Sequence, residues 1–348
     1  MVKSEINKLD ALIDTELKPY VNKIDKEAFY AKHFLRRLGE EGFFASVNRS
    51  PKHVLFDELK LVEATAKTCM TTAFCLWCHL AALTYIRNSE NTTLKEELLP
   101  LLESGERLGG TGLSNPMKYY AQLENLHLQA KRVDGGFEIT GVLPAVSNLA
   151  KDHVFAFIAE VQEGKRIMGF IPFHANGLET KEKRDYLGLN GSATFACKFH
   201  HVFVPYERIV TEDADDFVKR IRPTFIVYQI PLGLGVTEAS INCIEKVRNI
   251  KNGCNRYLPI QAEELKEKLV KLHADLKQLN VSEEHWREIV KLRLKTAYVT
   301  LRAVETAMIH QGGAGYLKYS HASRRLREAY FFANLTPTIK HLEKLLTS

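Results

Sequence analysis

No apolar run in this chain is long enough to cross a bilayer, and the first residues, MVKSEINKLDALID, lack the apolar centre of a secretion signal. There is no internal repeat and no low-complexity tract, which argues against solenoids and disordered linkers. Cys75 and Cys78 form one Cys-x-x-Cys, but no second such pair or Cys-x-x-His completes a zinc site, so no metal is expected. The pair lies in the apolar run AFCLWCHLAAL, so buried free thiols are expected, and with them a cytoplasmic location. No basic arm exists. The net charge of +6 is spread along the chain, which predicts no nucleic-acid partner and no membrane partner.

What is present suits a large globular core: 348 residues, 45% hydrophobic and 26% charged. Residues 1–108 read as helical, with apolar residues recurring at three and four, as in LDALIDTELKPYV. One long helical run is expected from Leu55 to Ile86. The texture changes at Gly109. GGFEITGVL reads as a hairpin with a Gly-Gly corner, HVFAFIAEV and RIMGFIPF as strands, and CKFHHVFV as an alternating strand ending at Pro205. Helical periodicity returns at Asp213, which with Asp216 reads as a solvated acidic run or an N-cap. The expected fold class is therefore α+β, mostly α. It comprises an N-terminal helical domain (1–108), a compact β domain (109–212) and a C-terminal helical domain (213–348).

Four segments carry chemistry. Residues 188–209, GLNGSATFACKFHHVFVPYERI, hold Gly188, Gly191, Ser192, Thr194, Phe199, Val202, Val204, Pro205 and Ile209 in an ungapped pattern. Residues 111–116 read Thr-Gly-Leu-Ser-Asn-Pro, and residues 141–148 read Gly-Val-Leu-Pro-Ala-Val-Ser-Asn. The fourth is the C-terminal stretch from His310 to Thr338, with Gly312, Gly313, Gly315 and Tyr316 in a turn, then Arg327, Glu328 and Ala329. Together these resemble the acyl-CoA dehydrogenase superfamily over nearly the whole chain, and the departures lean toward its flavin-dependent monooxygenase branch.

That resemblance implies that residues 109–212 form a small β-barrel-like domain and residues 213–348 a C-terminal four-helix bundle, and it implies a flavin-dependent oxidoreductase binding FAD, with FMN as the alternative if the adenosine grip is lost. It implies cofactor contacts at Leu113, Ser114, Ala145, Val146, Ser147, Arg256, Gly312, Gly313 and Thr338. Small fixed donors suit reduced flavin, whose charge gathers near one edge of the ring. The resemblance places the substrate pocket at Leu76, Trp77 and Thr336, and catalytic roles at His79 and Ser147. Each motif also has a plain structural reading. Ser114 before Asn-Pro is a common turn residue, Gly312-Gly313 a common helix end, and His79 a core histidine bonded to a backbone carbonyl.

The family's base, a Glu in Glu-Gly-Thr, falls on Thr336 here, followed by Pro337 and Thr338. A threonine cannot take an α-proton near neutral pH. Three functions remain open at this point. One is a monooxygenase-like enzyme using oxygen and reduced flavin supplied by a separate flavin reductase. The others are a divergent dehydrogenase acting on a CH–CH bond and a non-catalytic flavin-binding or scaffold protein. Expected partners are a small-molecule substrate, an acyl thioester among the classes, and further copies of the chain as a homodimer or homotetramer.

Overall fold

The structure is a computed structural model and describes residues 1–161 and 164–347. Six helices come first: α1 (Lys3–Leu12), α2 (Val21–Glu27), α3 (Lys32–Glu40), α4 (Pro51–Thr68), α5 (Met70–Asn88) and α6 (Thr92–Glu103). Strand β1 (Gly109–Thr111) and helix α7 (Ser114–Tyr120) lead into β2 (Leu128–Val133), β3 (Gly136–Val146), β4 (Val154–Val161) and β5 (Arg166–Pro172). Strands β6 (Leu178–Glu182), β7 (Phe195–Pro205) and β8 (Ile209–Thr211) complete the sheet. Then come α8 (Ala214–Val227), α9 (Ile230–Val247), the short α10 (Ile250–Gly253), α11 (Ala262–Gln278), α12 (Trp286–Gln311), α13 (His321–Asn334) and α14 (Ile339–Thr347).

The expected single helix from Leu55 to Ile86 is two helices. Cys69 is extended, with φ −154° and ψ 106°, and separates α4 from α5. The break leaves the Thr68 carbonyl free, and the Arg324 guanidinium donates to it at 3.0 Å. Apolar spacing continues across one residue, so periodicity alone could not reveal the break. Ser114, read from the sequence as a turn residue, is the first residue of the short helix α7. Asp213 is an N-cap, its carboxylate accepting from the Asp216 amide at 3.1 Å.

The eight strands form one sheet in the order β6-β7-β3-β2-β4-β5-β8, with β1 parallel to β4. The Gly-Gly corner turns β2 into β3, and Gly135 takes φ +74°, which costs glycine little. Strand β4 has the near-continuous apolar sequence VFAFIAEV because both of its faces are covered. Val154, Ala156 and Ile158 join the helical core, whereas Phe155, Phe157 and Ala159 join a second core within the sheet layer. Helix α5 is buried on all sides from Met70 to Ile86 and packs on β1 and η-turn residues 190–192, putting it against the sheet's edge.

Candidate active site

A cavity of about 310 Å³ lies where β1, β3 and the 186–194 loop meet α5, α8 and the 331–336 segment. Its two walls differ. On the strand side stand the hydroxyls of Thr111, Ser114, Ser147, Ser192 and Thr194, with Ala145 beside them. On the helix side stand Phe74, Trp77, Phe225, Phe331 and Leu335. No lining residue is charged among those described.

The hydroxyls are paired in a way that leaves donors over. Ser147 Oγ lies 2.7 Å from Thr194 Oγ1, which lies 2.8 Å from Ser192 Oγ. Three hydroxyls carry three protons, and two bonds use two of them. One O–H is therefore left for a ligand. Ser114 Oγ and Thr336 Oγ1, 3.1 Å apart, likewise keep one O–H beyond the bond between them. The apolar wall is fixed by ring packing. Phe74 stacks on Trp77 at 5.6 Å between centroids, and Trp77 meets Phe225 edge-on at 4.9 Å. The Trp77 indole N–H donates to the Phe225 carbonyl at 3.2 Å, so the ring cannot swing freely. Burial pushes the Cys78 thiol far above its ordinary range, and it faces the cavity as a neutral group.

The cavity brings together Trp77, Ser114, Ala145, Ser147 and Thr336. The remaining residues singled out in the sequence stand elsewhere. His79 requires a correction. It is fully buried, its Nδ1 accepts the Gly109 amide at 3.1 Å, and its Nε2 lies 3.2 Å from the Leu102 carbonyl. Both nitrogens are thereby used by backbone. Burial first, then His153 and Arg87, push its pKa down to about 3. It is a neutral core residue that pins β1 to α5, not a group facing a reactant. Leu76, Leu113 and Val146 are buried side chains that do not line the cavity. A backbone contact from Leu113 or Val146 does not depend on that.

Thr338 lines a second, open pocket that shares Ser114, Asn334 and Thr336 with the cavity and adds Lys118, Lys340 and His341. Arg256, Gly312 and Gly313 are exposed and lie outside both pockets. Gly312 has φ +57°, and an added Cβ at either glycine would meet nothing within 4 Å. The sequence reading gave no site role to Thr111, Ser192 or Thr194, although the Gly-Ser-Ala-Thr run was in view. It also missed Phe74, Phe225 and Phe331, because an aromatic on a buried helix carries no sequence signal that separates cavity wall from core.

No family model matches the chain. The short-chain specific acyl-CoA dehydrogenase of Rattus norvegicus is 23% identical over 341 residues, covering 91% of this chain and 82% of that protein. The chain is similar to acyl-CoA dehydrogenases along most of its length. The mitochondrial isovaleryl-CoA dehydrogenase of Oryza sativa is 29% identical over 123 residues, and that match spans 34% of this chain and only 30% of the relative's length. Among solved structures, a glutaryl-coenzyme A dehydrogenase in complex with glutaryl-CoA superposes with a TM-score of 0.85 at 16% identity, covering 100% of this chain and 95% of that one. KijD3, in complex with FMN and a dTDP-linked amino sugar, gives a TM-score of 0.79 at 16% identity, with 99% and 92% covered. These likenesses establish the acyl-CoA dehydrogenase fold. No helix is long and apolar enough to cross a membrane among the described residues.

Proposed function

We propose that this chain is a flavin-dependent oxidoreductase of the acyl-CoA dehydrogenase superfamily that works without a carboxylate base, in the manner of the monooxygenase-like branch. The observation that carries the reading is the cavity itself, a hydroxyl wall facing an aromatic wall with Thr336 at the rim and no acid in the lining. The donor set fits a flat heteroaromatic ring with a polar edge. Leftover O–H groups from the Ser147–Thr194–Ser192 chain and the Ser114–Thr336 pair would hold carbonyl or ring-nitrogen acceptors. Ala145 leaves room beside them. Bound flavin would supply the electron transfer. The chain's part is to orient the ring, hold protons at the hydroxyls and exclude water with Phe74, Trp77, Phe225 and Phe331.

FAD is the proposed cofactor, with its phosphates toward the pocket that Thr338, Lys118, Lys340 and His341 line. FMN would use the same pocket, whose lining also holds Glu124 paired with Lys118, and KijD3 holds FMN on this fold. A homodimer or homotetramer is proposed with it. The support is the exposed apolar and aromatic set of Ile309, Tyr316, Leu317 and Tyr257 around Gly312-Gly313. In such an assembly those glycines and Arg256 would meet a neighbour's cofactor. A separate flavin reductase would supply the electrons. We further take the chain as three units, 1–108, 109–212 and 213–348, supported by the separate core inside the sheet layer.

The test is spectroscopic. Reconstituted protein is mixed anaerobically with acyl-CoA thioesters and, in a second run, reduced chemically and mixed with oxygen. The reading expects no bleaching by acyl-CoA and fast reoxidation by oxygen. Bleaching by an acyl-CoA would replace it with the divergent dehydrogenase. Bound flavin that is inert in both runs would replace it with a non-catalytic flavin protein.

A further inference from the structure

Arg293, on α12, is fully buried, yet among the described residues no carboxylate pairs with it. Its Nε donates to Gln229 Oε1 at 3.0 Å, and its Nη2 to the Phe332 carbonyl at 2.8 Å. Its guanidinium lies 3.7 Å from the centroid of the Phe332 ring. Its Nη1 has no hydrogen-bond partner among the described residues. Gln229, itself fully buried, passes the polarity on, with its Nε2 donating to the Thr336 carbonyl at 2.9 Å. Thr336 then reaches the cavity wall through its bond to Ser114.

Keeping an unpaired cation out of water costs several kcal/mol, roughly the scale at which buried ions are replaced without loss by apolar groups. A cost of that kind persists where the charge has a use. Aligned hydrogen bonds in a weakly polarisable interior carry the field of the cation forward rather than dissipating it. The Thr336 rim, where the superfamily's resemblance would put a negative carboxylate, is here backed by positive charge.

We propose that Arg293 is a positioning residue that, through Gln229, makes the Ser114–Thr336 rim of the cavity a seat for an anionic ligand group. The ligand chemistry is a delocalised anion with acceptor oxygens. Two sources share it: a carboxylate carried by the substrate, and the negatively charged edge of reduced flavin. The inference deepens the flavin reading and depends on it for the second source only. Burial alone draws the Arg293 pKa down to about 9, which agrees with a cation that no acid compensates.

The experiment compares wild type with Arg293→Met, Arg293→Lys and Gln229→Glu. The last sets a carboxylate against the cation without emptying the site, and it keeps the test valid if Arg293→Met does not fold. In the first arm, apoprotein is titrated with benzoate and read by thermal shift. In the second, the midpoint potential of bound flavin is measured by dye equilibration. Arg293→Met and Gln229→Glu are expected to weaken benzoate roughly tenfold or more, the scale of a lost charged hydrogen bond, or to move the potential to more negative values. Arg293→Lys should retain most of the wild-type behaviour. A change in the benzoate arm alone assigns the anion to the substrate, and a change in the potential alone assigns it to the flavin. Folded variants unchanged in both arms would overturn the proposal. Wild type that takes up no flavin would defeat the functional reading, while the benzoate arm would still decide this one.

Discussion

Two arginines in the interior are treated in opposite ways. Arg87, on α5, meets Glu58 at 2.8 Å, Glu103 at 3.0 Å and the Phe44 carbonyl. Burial opposes its charge, but Glu58, Tyr228 and Glu103 together carry its pKa above the usual value. Tyr228 closes the group by donating to Glu58. Arg293 has an amide, a carbonyl and a ring, and no acid. The first cluster cancels its own field and ties three helices together. The second leaves its field standing beside a cavity. A buried cation with counter-charges is architecture. One without them points to chemistry nearby.

Breaking the first cluster should have the largest effect. Glu58→Ala leaves Arg87 short of a partner and the Tyr228 hydroxyl without its acceptor. About 3–5 kcal/mol of unfolding free energy should be lost in urea titrations. Next comes acid. His79 and His153 are buried, with pKa values pushed down to about 3 and about 4, burial being the leading cause in each. Above the ordinary histidine pKa neither the folded nor the unfolded state binds the proton. Below it the unfolded chain does and the folded protein does not, so stability falls with pH until the depressed values are reached. His79→Asn should therefore flatten the slope of unfolding free energy between pH 6 and pH 4.5 by ~1.4 kcal/mol per pH unit. Arg293→Met should cost less than half of what Glu58→Ala costs, because the lost hydrogen bonds are offset by removal of an unpaired charge. The smallest expected effect is none: Thr336→Glu should gain no acyl-CoA-dependent flavin bleaching. A clear gain there would mean that the chain needs a base after all, and the contrast between the two arginines would lose its functional meaning.

Much of the fold was legible because it rests on local patterns. The alternation in β7, the glycine corner before β3 and the N-cap at Asp213 each follow from a few adjacent residues. The break at Cys69 was not legible, because its compensation comes from Arg324, 255 positions away. The cavity was legible in part. Ser114, Ser147 and Thr336 sit in motifs with fixed spacing, and the structure brings all three into the lining of one cavity. His79 misled, since a polar residue on an apolar helix looks the same whether it faces a ligand or a backbone carbonyl. Arg293 was invisible for a related reason. In the run EIVKLRLKTAYV it reads as one more charged residue on a helix face. Only the burial of that face, and the absence of an acid opposite, distinguish it.

The account turns on the hydroxyl wall holding a flavin, and an equilibrium titration of flavin fluorescence with apoprotein tests that most directly. Wild type is predicted to quench FAD or FMN at one flavin per chain. The double variant Ser114→Ala, Ser147→Ala removes two hydroxyls and should bind roughly fivefold to a hundredfold more weakly, at about 0.5–1.5 kcal/mol for each hydrogen bond. Flavin that stays free at saturating protein, or a double variant that binds as tightly as wild type, would contradict it.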